Sequence, residues 1–193
     1  MSGKIVNNNN VVGRAEFKIA GAFKEFGADL RGKLVLDIGS STGGFTEFAL
    51  RQGAEKVIAV EKGTKQMKAP LRFSPQVELH EKQDIFEFVP AEKPDVILAD
   101  VSFVSLRKVL AYAKKKLAKK STEYLVMLKP QFEAPDYMLR RGVLKNNKMR
   151  REIIVNFEAW LKDNGFLIVG KKDNDVAGRF GNVERFYYLK IVK

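Results

Sequence analysis

Apolar residues along this chain fall into two alternating patterns. Short branched runs bounded by glycine or polar residues occupy positions 33–38, 56–60, 77–80, 95–99 and 123–128. Such runs suit strands buried on both faces of a parallel sheet. Between and around them apolar residues recur every three or four positions, the spacing of one helical face. Phe17, Ala20, Phe23 and Phe26 predict a first helix closed by Gly27, and a second spans 43–52 and stops at Gly53. Beyond Ser105, a candidate N-cap, Leu106, Val109, Leu110, Ala113 and Leu117 share one face. Met149, Ile153, Phe157, Trp160 and Leu161 repeat in the same way until Asn164-Gly165 ends the helix. Two last strands, 166–170 and 185–192, lie too close together for a helical crossover, so they are expected to pair antiparallel. The predicted fold class is α/β, a Rossmann-like doubly wound sheet of seven strands with an antiparallel last strand and helices on both faces.

No interdomain linker interrupts this alternation. Residues 12–193 are read as one domain behind a flexible segment, 1–11, that includes four consecutive asparagines. With 193 residues, 45% of them hydrophobic, one sizeable core is within reach. The 35 basic and 23 acidic residues leave a net charge of +12, which on so small a domain points to a polyanionic partner, nucleic acid first. A solvated basic surface without a partner is the plainer alternative. The absence of cysteine excludes disulfides, thiolate nucleophiles and cysteine-ligated zinc, and no metal site is expected. No apolar stretch near the amino terminus suits a signal peptide or a membrane span, so a cytoplasmic, monomeric protein without membrane contact is expected. His80, the single histidine, falls within a predicted strand and reads as structural.

The chemistry begins where the first strand ends. Asp37 leads into Gly39, Ser40, Ser41, Thr42, Gly43, Gly44 and Phe45, a glycine-rich turn that opens the second helix, with Thr42 as its candidate cap. A dinucleotide fingerprint needs a glycine where Ser41 stands, and no Gly-Lys-Ser or Gly-Lys-Thr follows to make a P-loop. An acid at the strand's end is also ill suited to a phosphate cradle; it suits a cationic ligand. Glu61 after the second strand can accept from both hydroxyls of a ribose, and Asp84 after the third can accept from an adenine amino group. Either acid alone also suits a surface position at a helix start. Three acids after three successive strands fit S-adenosyl-L-methionine (AdoMet), which carries a ribose, an adenine and a sulfonium but no phosphate. The sheet is then expected to be that of a class I AdoMet-dependent methyltransferase.

Five segments, Gly13-Arg14-Ala15-Glu16-Phe17-Lys18, the turn from Leu36 through Thr46, Ala99-Asp100-Val101-Ser102-Phe103, Leu128-Lys129-Pro130-Gln131-Phe132-Glu133 and Gly181-Asn182-Val183-Glu184, together resemble one family. It is the TlyA, or hemolysin-A-like, branch of the FtsJ-type RNA 2′-O-methyltransferases. The resemblance implies a catalytic tetrad of Lys18, Asp100, Lys129 and Glu184, with Asp100 also beside the cofactor. It implies ribose methylation of ribosomal RNA, with Lys129 as base, Asp100 as its positioning partner, and Lys18 and Glu184 orienting the hydroxyl and the amine. From pattern alone, Lys18 also suits a helix surface and Glu184 a strand edge. The chain departs from the family in three ways: the usual glycine pair near Arg14 is missing, the family's amino-terminal RNA-binding domain is expected to be absent, and the hemolytic label of some relatives finds no apolar span here.

Candidate RNA contacts are Arg14, Arg140, Arg141, Lys145, Lys148, Arg150 and Arg151, most of them around a long polar loop, 131–147, that follows Lys129. The lysines at 114–120 read more simply as the solvated end of an amphipathic helix. Phe103 suits either stacking on a base or adenine, or burial behind a strand. The partner expected is ribosomal RNA or a ribosomal subunit. A non-catalytic RNA-binding or ribosome-assembly module retaining the same fold is the alternative.

Overall fold

The computed structural model describes residues 13–144, 146–174 and 181–192, and the side chains from Lys18 onward. The expected flexible segment 1–11, the Arg14 side chain and Lys145 lie outside the described residues.

Helix α1 (Gly13–Phe26) precedes β1 (Leu34–Ile38), α2 (Gly44–Arg51), β2 (Lys56–Glu61), β3 (Val77–Glu81) and β4 (Val96–Ala99). Helix α3 (Leu106–Tyr112) runs on as a π-helical turn, Ala113–Leu117, before β5 (Glu123–Leu128). A two-stranded hairpin, β6 (Leu139–Arg140) and β7 (Val143–Leu144), then leads into α4 (Asn147–Asp163), β8 (Phe166–Asp173) and β9 (Arg185–Ile191). The main sheet has the order β3-β2-β1-β4-β5-β9-β8. Strands β1 to β5 pair with one another in parallel, while β9 is antiparallel to both β5 and β8. The seven strands, the reversed last one and the antiparallel terminal pair are as the sequence predicted.

Strand alternation divides the core into two layers. Leu36 and Ile38 of β1 face α3 and α4, where Leu106, Leu110, Phe157 and Leu161 are buried. Val35 faces α1 and α2, where Ile19, Phe45 and Phe48 pack. The predicted stripe of α3 is buried from Leu106 to Leu117. Among the described side chains of α1, from Lys18 onward, the fully buried positions are Ile19 and Ala22, with Ala20, Phe23 and Phe26 packing at the margin. Phe26 stacks on Tyr188 and closes against Gly170, so this helix lies along the β9 and β8 side of the sheet. The described residues of the predicted polar loop carry regular structure: single helical turns at Pro130–Phe132 and Asp136–Met138 as well as the hairpin.

Candidate active site

The strand order reverses between β1 and β4, both of which pair in parallel with chain on opposite sides. Open α/β sheets leave a crevice at such a point, outside the carboxyl ends of the strands. Here it is a cleft of about 700 Å³. Its walls come from four strand ends: Gly39 and Ser41 after β1, Glu61 and Lys62 at β2, Asp84 to Phe86 after β3, and Asp100 to Val104 after β4.

Of the residues predicted for the cofactor, Gly39, Ser41, Glu61, Asp84 and Asp100 line this cleft, whereas Asp37, Ser40, Thr42, Gly43, Gly44 and Phe45 stand outside its lining. The reason is the pleat. Asp37 shares its face of β1 with Val35, so its side chain enters the α2 layer, where Oδ2 accepts a 2.6 Å hydrogen bond from Thr46 Oγ1. It is fully buried, and Oδ1 has no partner. Burial pushes its carboxyl up from the usual 3.8 to about 7, and the neighbouring Asp100 and Glu61 charges act in the same direction, against the Thr46 hydrogen bond. Phe45 packs on Phe186 in the core. Helix α2 is capped by Gly43, at φ +95°, and not by Thr42. A Cβ on Gly43 would meet Leu71 Cδ1 at 2.8 Å, so that glycine serves packing. Gly39, at φ +80°, is the one where backbone meets backbone: a Cβ there would stand 3.1 Å from the Asp100 carbonyl oxygen.

Glu61 braces the turn. Its Oε2 accepts from Ser41 N at 2.9 Å and its Oε1 from Gly63 N at 2.7 Å. A carboxylate offers about four lone-pair sites, so both oxygens can still accept from a ligand. Asp84 caps the turn Ile85–Glu87 by accepting from Phe86 N at 3.0 Å, and its Oδ2 accepts from Lys62 Nζ at 2.9 Å. The Lys62 ammonium is the main reason its carboxyl sits below the usual range.

The four polar residues named by the resemblance form two ion pairs. Lys129 Nζ lies 2.6 Å from Asp100 Oδ1 and donates its directed hydrogen bond to Ser102 Oγ at 2.8 Å. Lys18 Nζ donates to Glu184 Oε2 at 2.6 Å. Register explains how the pairs approach: Leu128 is opposite Arg185 across β5 and β9, so the next step sets Lys129 beside Glu184 at the same sheet end. Lys129, Lys18 and Glu184 do not themselves line the cleft; Asp100 and Ser102 connect Lys129 to it.

Sequence reasoning missed Ser102 and Glu133. Glu133, with its side chain only 3% exposed, accepts from Ser105 Oγ at 2.8 Å and from Leu106 N at 2.5 Å, so it caps α3 from another loop. Ser105, the predicted cap, makes no cap bond of its own. Its side chain instead helps tie the loop after β4 to the loop after β5. Phe103 is 92% exposed, at φ +63°, with its ring 5.1 Å from that of Phe132, which excludes the buried alternative. Among the basic candidates, Arg140, Arg141, Lys148 and Arg151 are exposed. Arg150 is not free: it donates to Asp173 Oδ1 at 2.6 Å and to Val183 O at 2.9 Å, fastening α4 to the last strands. Lys114 binds the Asn164 carbonyl and Lys119 pairs with Asp95, as suits structural lysines. His80, bonded to Glu78 and packed on Phe88, is structural as expected.

Residues 11–190 match the FtsJ-like methyltransferase model. The chain is 37% identical over 179 residues to the 23S rRNA (cytidine-2′-O)-methyltransferase TlyA of Campylobacter jejuni, covering 92% of this chain and 70% of that protein. It is 36% identical to Hemolysin A of Brachyspira hyodysenteriae, covering 94% of this chain and 77% of that one. A solved protein from Lactococcus lactis superposes with a TM-score of 0.87 at 33% identity, covering 92% of this chain and 87% of that one. With the match running from α1 to β9 and the cleft at the switch point of its sheet, the chain belongs to the FtsJ-like methyltransferase family.

Proposed function

We propose that this protein is an AdoMet-dependent methyltransferase of ribosomal RNA that methylates a ribose 2′-hydroxyl. The observation that carries the reading is the contact of Lys129 with Asp100 and Ser102 at the edge of an acid-lined cleft. Relatives named as rRNA cytidine-2′-O-methyltransferases, at 33–37% identity, supply the substrate class.

The cleft fits AdoMet chemically. Glu61 is a two-oxygen acceptor for a ribose diol, and Val60, Ile85, Phe86 and Val101 give an adenine apolar walls. Asp84 can accept from an exocyclic amine, and the Asp100 carboxylate makes the surroundings negative for a cation. Bound AdoMet supplies an electrophilic methyl group on a sulfonium. Everything else is asked of the chain. Lys129, in its neutral amine form, accepts the proton that leaves the 2′-hydroxyl and becomes the ammonium paired with Asp100, Ser102 helps to hold it in place, and Lys18 with Glu184 orients the ribose. Phe103, exposed at the cleft mouth, offers a face on which a nucleobase stacks. Arg140, Arg141, Lys148 and Arg151 supply phosphate contacts. This activity belongs to the cytoplasm, and no helix among the described residues is long and apolar enough to cross a membrane.

The test is transfer of label from radiolabelled AdoMet to ribosomal subunits that lack the modification, followed by mapping of ribose methylation. Label in a ribose 2′-O position is the expected result. Tight RNA binding without label in either subunit would leave only the non-catalytic RNA-binding module.

A further inference from the structure

Arg141 and Gly142 form the turn of the β6–β7 hairpin at φ +52° and +77°, with Leu139 paired to Leu144 and Arg140 to Val143. Two consecutive positive-φ residues give the tight turn whose twist suits a hairpin, and asparagine or glycine fills the first position most easily. An arginine there is held in a region that side chains disfavour. Observed strain of this kind points to a side chain kept for what it contacts. Arg140 and Arg141 are both exposed, and neither has an ion-pair partner among the described residues.

The hairpin is pinned from the far end of the chain. Asn182, only 6% exposed, accepts from Leu144 N at 3.1 Å and donates through Nδ2 to the Gly142 carbonyl at 3.0 Å. One side-chain amide therefore fixes both the turn and its returning strand. The next residue, Val183, accepts from Arg150 of α4, and the one after, Glu184, holds Lys18. A stretch of three residues thus joins the basic hairpin, the start of α4 and one ion pair of the candidate site.

We propose that Asn182 is a positioning residue that holds the hairpin as a phosphate clamp, so that Arg140 and Arg141 grip the RNA backbone in fixed register with Glu184. The proposal rests on the RNA methyltransferase reading, and it names the part of the substrate that this surface takes. Arginine forks pair with phosphate oxygens through two parallel hydrogen bonds, so a clamp needs its backbone held as well as its charge. Asn182 supplies the hold without adding charge of its own.

The experiment measures binding of the whole chain to in vitro transcribed 16S and 23S rRNA across a salt series, with AdoMet affinity followed by calorimetry. Asn182→Ala and the double variant Arg140→Ala/Arg141→Ala are each expected to weaken RNA binding about tenfold and to lower the slope of log affinity against log salt by about 1.5, the value for two lost phosphate contacts. Both should keep AdoMet affinity within about twofold of wild type, and the triple variant should be no weaker on RNA than the double. Asn182→Asp keeps the acceptor for Leu144 N and loses the donor, so it should fall between. Loss of AdoMet affinity in Asn182→Ala with an unchanged salt slope would overturn the proposal, as would strict additivity in the triple variant. An arginine double variant with unaltered RNA affinity would overturn the clamp even where rRNA methylation stands. Binding is read here without transfer, so the clamp and the methyltransferase reading fail separately.

Discussion

Lys18 and Glu184, separated by 166 positions in sequence, meet with Nζ 2.6 Å from Oε2, and the carboxylate end of the pair is only 4% exposed. The contact ties α1 to the segment that enters β9. Removing one partner of a buried pair leaves the other charge without compensation, at a cost of about 3–5 kcal/mol. Lys18→Ala is therefore expected to lower unfolding free energy by roughly 3 kcal/mol and to impair methyl transfer, whereas Lys18→Arg should restore most of the stability and little of the transfer. Denaturant melts beside transfer assays check this. Equal recovery of both in Lys18→Arg would reduce the pair to a structural tie.

Lys129→Ala is expected to abolish transfer, by about a thousandfold or more, as suits loss of a general base. AdoMet affinity should stay nearly intact, because Lys129 lies outside the cleft lining. Calorimetry and single-turnover transfer give the two numbers. Near-normal turnover in this variant removes Lys129 from the role of base.

Glu61→Ala removes the acceptor that braces the turn through Ser41 N and faces the cleft. Hydrogen bonds to charged groups contribute about 1.5–3 kcal/mol, so AdoMet affinity should drop between roughly 10- and 150-fold, with transfer at saturating AdoMet largely kept. Asp84→Asn should cost less, since Asp84 is partly committed to Lys62 and to Phe86 N. An unchanged dissociation constant in Glu61→Ala would falsify the placement of the ribose.

Phe103→Ala should leave stability unchanged, because the ring is 92% exposed. Base stacking on an aromatic ring is worth about 1–3 kcal/mol, so the KM for RNA should rise between about 5- and 150-fold. If instead AdoMet affinity falls and the RNA KM does not, the ring serves the cofactor's adenine.

Asp37 makes an unusual contribution to pH dependence. Its folded-state pKa of about 7 lies above the ordinary 3.8, so the native state retains a proton that the unfolded chain has lost. That stabilisation is complete below about 3.8 and is lost as pH rises through about 7. Within this window stability should fall by up to about 1.4 kcal/mol per pH unit. Asp37→Asn should remove that slope. Urea melts at intervals from pH 5 to pH 8, comparing the variant with wild type, check it; a stability difference that stays constant with pH sinks the assignment.

The order of strands and helices was legible because each element announces itself locally. Branched runs, the buried face of α3 and the stop at Asn164-Gly165 are properties of neighbouring residues. Glu61 and Asp84 were legible, with Asp37, as acids after three successive strands that converge at a switch point, while Asp100 was legible only through the family resemblance. Asp37 stands apart from the cleft lining for an equally physical reason. Its position along β1 is right for the ligand, but the pleat turns its side chain to the α2 layer and onto Thr46. Glu133 and Asn182 were hidden because their partners, Leu106 and Leu144, lie 27 and 38 residues away.

By itself the sequence determined an α/β domain with acids at successive strand ends, an excess of basic residues and four polar residues that resemble the tetrad of a ribose methyltransferase. Hydrophobic periodicity, charge and turn chemistry are local, and the chain carries them before it folds. Only the tertiary structure decided which acids line the cleft, that Lys129 turns to Asp100 while Lys18 turns to Glu184, and that Arg150 is consumed in holding α4. Those outcomes depend on pleat direction, on antiparallel register between β5 and β9, and on contacts across more than a hundred residues, none of which a linear pattern specifies.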